Sequence, residues 1–168
     1  MNYKTRIKEI SYFLHKWFLD NGKSLAVAES CTGGALSAVI VANSGCSDYF
    51  ISGIVAYSNK SKIDFLEITP ELILGLGAVS GPVAEAMAKG VMKKSGSDFA
   101  ISTTGITGPK GGTDEKPVGT IWIGVCNCER VISRKFNLID KGREKNSERA
   151  VFEALSLLKE FILSDGER

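Results

Sequence analysis

A chain of 168 residues with 43% hydrophobic side chains has the size of one domain and enough apolar content for a real core. Its formal charge of +2, with Lys and Arg scattered rather than blocked, argues against a nucleic-acid-binding surface. No apolar run reaches membrane-span length and no N-terminal stretch has the form of a signal peptide, so a cytoplasmic protein without membrane or nucleic-acid partners is expected.

The elements follow in chain order. Ile7, Ile10, Leu14, Trp17 and Phe18 recur at helical spacing and predict an amphipathic helix over 3–20, stopped by Asn21-Gly22. The apolar run at 24–29 reads as a short buried strand. Helical spacing returns over 33–43 through Leu36, Val39 and Ile40. Residues 50–57 alternate and are rich in β-branched side chains, which predicts a strand. Ser58-Asn59 can cap a helix over about 60–66. Thr69-Pro70-Glu71 opens a second helix, and Ser80-Gly81-Pro82 a third that runs to about Lys94. Residues 98–103 are strand-like, and 105–117 form a long loop rich in glycine and proline. Two strands over 118–127 and 131–138 meet at a tight turn, and a last helix spans about 143–163. This order predicts one α/β domain over 1–168: a three-layer α/β/α sandwich whose hairpin makes the central sheet mixed.

The cysteines, Cys31, Cys46, Cys126 and Cys128, form no CxxC pair and read as reduced thiols. The single histidine, His15, lies beside Lys16 in the first helix and reads as a surface residue. A zinc site would need His15 plus distant cysteines, so no metal site is expected. A serine nucleophile would need a lysine or carboxylate as its base.

Three stretches carry candidate chemistry. In Glu29-Ser30-Cys31-Thr32-Gly33-Gly34 a strand hands its residues to a helix N-terminus. Backbone N–H groups of Cys31, Thr32, Gly33 and Gly34 lack a partner one turn back and could receive an oxyanion or phosphate beside Ser30. Helix capping by Ser30 or Thr32 explains the same residues. Downstream of Tyr57, Lys62 falls in the first turn of a helix, where the macrodipole and partial burial both favour a neutral amine able to take a proton from serine. Lys60 is its competitor for that role. The loop carrying Thr104, Gly105, Thr107 and Gly108 alternates hydroxyls with free amides and suits a phosphate or sugar, as a mobile glycine loop also could look. Arg143, at the mouth of the last helix, could pair with an anion.

The segments Ala28-Glu29-Ser30-Cys31-Thr32-Gly33-Gly34, Tyr57-Ser58-Asn59 with Lys62, Thr104-Gly105-Ile106-Thr107-Gly108-Pro109 with Gly111-Gly112, and Lys116-Pro117-Val118-Gly119-Thr120 occur in this order. Together they closely resemble the CinA C-terminal domain family, whose enzymatic members are nicotinamide mononucleotide deamidases of the PncC type. The resemblance covers nearly the whole chain. It implies a stand-alone form, without the N-terminal molybdopterin-cofactor-like domain of larger CinA proteins, and a homodimer or higher homo-oligomer. It also implies a Ser-Lys mechanism with a supporting tyrosine, carried here by Ser30, Lys62 and Tyr57. The substrate is then a small nucleotide, and the scheme calls for no cofactor. The family usually enters its last helix with Gly-Asp/Asn-Arg and a second arginine four residues later. Here Lys141-Gly142-Arg143 stands in the first place and Ser147 in the second, with Arg149 displaced. A non-catalytic nucleotide-binding regulatory module of the CinA type is the alternative expectation.

Overall fold

A computed structural model of the chain describes residues 2–165. Helix α1 (Tyr3–Asn21) ends at Gly22, whose φ of 58° suits glycine, and buries Ile7, Leu14 and Phe18. His15 lies on that same stripe, one residue from Leu14, so it is buried rather than at the surface. Its ring stacks on Tyr12 and meets the edge of Tyr49.

Strand β1 (Leu25–Glu29) is central and buried throughout. Helix α2 (Ala35–Val41) starts two residues later than its apolar spacing predicts, because Gly33 and Gly34 take positive φ values of 59° and 99°. A short 3-10 turn (Cys46–Asp48) leads to β2 (Phe50–Val55), and three helices follow: α3 (Asn59–Leu66), α4 (Pro70–Leu76) and α5 (Gly81–Ser95). The chain closes with β3 (Phe99–Gly105), the hairpin β4 (Thr120–Asn127) and β5 (Val131–Asn137), and α6 (Arg143–Asp165). Ser58 caps α3 in a capping box with Ser61. Thr69 and Ser80 stand at the N-caps of α4 and α5 but make no side-chain cap bond.

The five strands form one sheet in the order β2-β1-β3-β4-β5. β1 pairs in parallel with β2 and β3, whereas β4 runs antiparallel to both β3 and β5. The sheet is therefore mixed, and helices cover both faces. α1, α2 and α6 pack on one face around Phe18, Leu36, Ile123 and Leu155; α5, with α3 and α4 beside it, packs on the other around Ala28, Leu66 and Met87. This is a three-layer α/β/α sandwich. No described helix is long and apolar enough to cross a membrane.

The strand connections open a crevice at one end of the sheet. From β1 the chain moves to one side to make β2, then returns past β1 to make β3. The carboxyl ends of β1 and β3 thus flank a topological switch point, where open α/β sheets form their ligand crevice. In the layer carrying α3, α5 touches the end of that helix at Gly90: a Cβ there would lie 2.2 Å from the Leu66 carbonyl oxygen. Lys93 and Lys94 of α5 both pair with Glu67, just past the end of α3, at 2.6 Å.

Gly90→Ala is expected to lower stability. Alanine adds about 1 kcal/mol of helix propensity, but a backbone clash in a packed layer costs about 1–3 kcal/mol or more. Thermal unfolding should show a lower Tm, and a Tm equal to or above that of the parent contradicts the close approach of α5 to α3.

Candidate functional site

Alternation along β1 sends consecutive residues to opposite faces of the sheet. Glu29 turns toward α2, and Ser30, the next residue, turns toward α3. The Ser30 amide donates to Thr103 O at 2.9 Å, which ties the end of β1 to the end of β3.

Glu29 is fully buried. Its carboxylate accepts from the Thr32 hydroxyl (2.6 Å), the amides of Gly34 (3.0 Å), Leu36 (3.0 Å) and Ser37 (2.8 Å), and the Ser37 hydroxyl (2.6 Å). The carboxylate thus satisfies the donors at the N-terminus of α2 and meets the positive end of its dipole. Residue patterns alone give Glu29 no role. The available signal is an acid a few residues ahead of a Gly-Gly turn and a helix, and it is easily missed because capping residues ordinarily stand next to the helix they cap.

This clamp narrows the set of free amides. Gly34 donates to Glu29, and Gly33 donates to Ser30 O at 3.1 Å. Among the described residues, the amides of Cys31 and Thr32 alone in this turn bond to no other residue. The expectation of a four-amide anion cradle is therefore corrected to two donors beside Ser30.

Lys62 is one of the largest fully buried side chains, only 1% exposed. Its Nζ lies 2.9 Å from Ser30 Oγ, 2.9 Å from Ala56 O and 3.2 Å from Tyr57 O. No carboxylate pairs with it among the described residues. A carbonyl can only accept, so both carbonyls draw N–H bonds from the amine. A neutral amine has two N–H groups and one lone pair. An ammonium donates to all three oxygens, whereas a neutral amine with both N–H groups on the carbonyls has its lone pair left for the Ser30 hydroxyl. Burial holds the Lys62 ammonium below the ordinary lysine range, which favours this protonation state. Lys60, by contrast, is exposed and paired with Asp64 at 2.5 Å.

Cys31, next to Ser30, is buried, and burial pushes its thiol up to about 12. It is thus a protonated thiol at neutral pH. The Tyr57 phenol does not reach Lys62; that contact is made by the Tyr57 main-chain carbonyl. The phenol is exposed, and its oxygen accepts a hydrogen bond from Arg143. Arg143 also donates to Gly108 O at 2.9 Å, so it joins α6, the long loop and Tyr57. Asn146, which no sequence motif singles out, is 1% exposed and holds the same loop by donating to Thr107 O at 3.1 Å.

The other sequence candidates divide. Cys31, Thr32, Gly33, Tyr57 and Arg143 line a groove of about 1090 Å³ between α1, α2 and α6; Cys31 on its rim directly follows Ser30, whose hydroxyl turns toward α3. The Thr32 hydroxyl is already engaged by Glu29 and by Thr103 at 2.7 Å. Thr104 points to the other face of the sheet and donates to Ala78 O at 2.8 Å, away from this groove. Gly105 serves packing, since a Cβ there would lie 2.5 Å from the Ile121 side chain. Among the described residues no group of three His, Cys, Asp or Glu side chains is gathered as a metal site.

The model of the CinA C-terminal domain matches residues 7–162. The chain belongs to the CinA C-terminal domain family. A CinA-like protein of Geotalea daltonii is 45% identical over 147 residues, covering 88% of this chain and 35% of that protein. A CinA-like protein of Synechocystis is 51% identical over 108 residues, covering 64% and 26%. The chain thus spans about a third of the length of the curated CinA-like relatives it matches. The crystal structure of the competence/damage inducible protein CihA from Agrobacterium tumefaciens superposes with a TM-score of 0.89 at 34% identity, covering 91% of this chain and 93% of that one. The competence damage-inducible protein A (ComA) of Klebsiella pneumoniae gives 0.90 at 29% identity, covering 94% and 97%. The CinA fold of this chain therefore has counterparts of nearly its own extent.

Removing the Glu29 clamp should destabilise the protein strongly. Glu29→Ala leaves several buried donors unpaired and is expected to lose about 3 kcal/mol or more in urea unfolding. Glu29→Gln keeps one acceptor oxygen and should lose less. Equal stabilities for the parent and Glu29→Ala contradict the role given to the carboxylate. The cysteines give an independent check: a thiol-specific reagent near pH 8 should label exposed Cys128 and spare Cys31 in the folded protein. Rapid labelling of Cys31 under native conditions contradicts its raised pKa.

Proposed function

We propose that this protein is an amidohydrolase that converts nicotinamide mononucleotide to nicotinic acid mononucleotide and ammonia through an acyl-enzyme on Ser30. The observation that carries this reading is the Lys62 amine, buried and unpaired by any described carboxylate, with two carbonyls as acceptors and the Ser30 hydroxyl at 2.9 Å. The substrate assignment rests on the resemblance of the ordered motifs to nicotinamide mononucleotide deamidases.

Lys62 removes the Ser30 proton as Oγ attacks the carboxamide carbon. The pyridinium ring withdraws electrons and makes that carbon a good electrophile. The amides of Cys31 and Thr32 receive the developing oxyanion. When the tetrahedral species collapses, the C–N bond breaks and the departing nitrogen takes the proton from the Lys62 ammonium, leaving as ammonia. Water then attacks the acyl carbon, with Lys62 again taking a proton, and Ser30 is released with the carboxylate product. Tyr57, its oxygen held by Arg143, stands at the mouth of the site and can hold the ring or a proton there. A cytoplasmic location and assembly as a homodimer or higher homo-oligomer belong to the same proposal.

Ser30→Ala should abolish ammonia release from nicotinamide mononucleotide, a loss on the order of 10³-fold or more, with Tm within a few degrees of the parent. Lys62→Met should fall as far, while Lys60→Met stays within about twofold because exposed pairs contribute little. Retained turnover in Ser30→Ala, or a greater loss in Lys60→Met than in Lys62→Met, overturns the assignment. Tight binding of the nucleotide without product on prolonged incubation of the parent favours a regulatory module instead. The pH profile has a definite sign. The active form is the neutral amine, so kcat/KM should rise with pH through the lowered pKa of Lys62 and level off before about 10.4, the value of a free lysine. A rate that falls over that range contradicts Lys62 as the base.

A further inference from the structure

The groove between α1, α2 and α6 extends from the Cys31–Gly33 rim down the α1 side of the molecule. Its charged lining is unevenly placed. Lys4 and Lys8 project into it from α1, Arg143, Glu144 and Glu148 from α6, and no charged residue from α2. Among the described residues Lys4 and Lys8 have no carboxylate partner, although acidic side chains stand across the groove. Arg143 spends its hydrogen bonds on a carbonyl and a phenol rather than on a carboxylate.

The register of α1 against α2 fixes the height of the lysines. α1 leads into the start of β1, and α2 leaves from its end, so α1 ends and α2 begins at opposite ends of that strand. Both helices therefore run in the same direction. The Ser11 hydroxyl donates to Val39 O at 3.2 Å. At 1.5 Å per residue, Lys4 lies about 10.5 Å above that bond along α1, beyond the first residue of α2, Ala35, which lies about 6 Å above it, and Lys8 lies about one turn below Lys4. Lys4 is thus level with the turn that follows Ser30, across the groove from it.

We infer that Lys4 and Lys8 form an anion subsite that holds the phosphate of the nucleotide substrate while its carboxamide lies at Ser30. This rests on the proposed function for the site and adds the group that selects a nucleotide over its nucleoside. Lys4 and Lys8 supply positive charge from α1 to a groove whose α6 wall carries Ser147. The carboxylates define the ligand class further. Glu144 and Glu148 oppose a bare anion, whereas a ribose phosphate offers them hydroxyl donors and gives its phosphate to the lysines. A sugar phosphate is favoured over inorganic phosphate.

Calorimetry in the Ser30→Ala background separates binding from turnover. Nicotinamide mononucleotide should bind about tenfold or more tightly than nicotinamide riboside at low ionic strength, with the preference shrinking as salt rises. Lys4→Met with Lys8→Met should bring the two ligands within about threefold of each other, chiefly by weakening the nucleotide. Lys16→Met, on the same helix but off the groove, should keep the full preference. A full preference in the Lys4/Lys8 double variant, equal weakening of both ligands, or no preference in the Ser30→Ala parent overturns the subsite. Ammonia release by the protein with Ser30 intact is scored separately. If it is absent while the lysines still set the phosphate preference, the amidohydrolase reading fails and the subsite stands. If ammonia is released while the double variant keeps its preference, the subsite fails alone.

Discussion

The chemistry proposed at Ser30 depends on one buried amine. A lysine side chain removed from water with no carboxylate beside it is costly to keep charged, and Lys62 has two main-chain carbonyls and one hydroxyl as its partners. Those three partners come from two strands: Ala56 and Tyr57 just beyond β2, and Ser30 just beyond β1. The parallel register Glu29↔Val55 ends both strands at the same height, so the amine on α3 reaches both. The contact is a product of sheet register and of the capping box that starts α3 at Asn59, and a slip of one residue in either would break it.

Strand alternation divides the labour at the end of β1. Glu29 faces α2 and satisfies its N-terminal donors, which fixes the turn through Cys31, Thr32 and the two glycines. Ser30 faces α3 and the amine. The adjacent acid is therefore a brace for the helix and not a partner for Lys62, which leaves the amine without a countercharge. Had Glu29 and Ser30 shared a face, a carboxylate would stand beside Lys62 and raise its pKa, against the role proposed for it. Arg143 and Asn146 then anchor the 106–119 loop to α6 and set the far wall of the site.

Most of the architecture is legible in residue patterns. Periodicity together with capping and proline signals places the six α-helices and five strands described, though not the 3-10 turn at Cys46–Asp48, and the hairpin after the glycine loop announces a mixed sheet. Ser30 meets Lys62 because β1 and β2 pair in parallel and end at the same height, which residue patterns leave open. The remainder is information that only packing carries. The start of α2 moves because two glycines adopt positive φ and a carboxylate five residues upstream of Gly34 takes its amide. The neighbouring Lys16 suggests a surface position for His15, whereas its place on the Leu14–Phe18 stripe puts it inside. Thr104 reads as part of the polar loop, whereas it is the penultimate residue of β3 and its hydroxyl donates to Ala78 O. The resemblance gives Tyr57 a supporting role without saying which atoms serve it; its main-chain carbonyl accepts from Lys62 and its phenol oxygen accepts from Arg143.

The most direct test of the buried amine is the titration of the Lys62 side chain itself. NMR of protein labelled at lysine Nζ and Cε, with Lys62 assigned by comparison with Lys62→Met, reads its protonation without reference to any substrate. A neutral Lys62 requires a pKa clearly below the roughly 10.4 of a free lysine, lower than that of exposed Lys60 in the same spectra. A Lys62 resonance that titrates together with Lys60, or above it, contradicts the neutral amine on which the proposed chemistry at Ser30 depends.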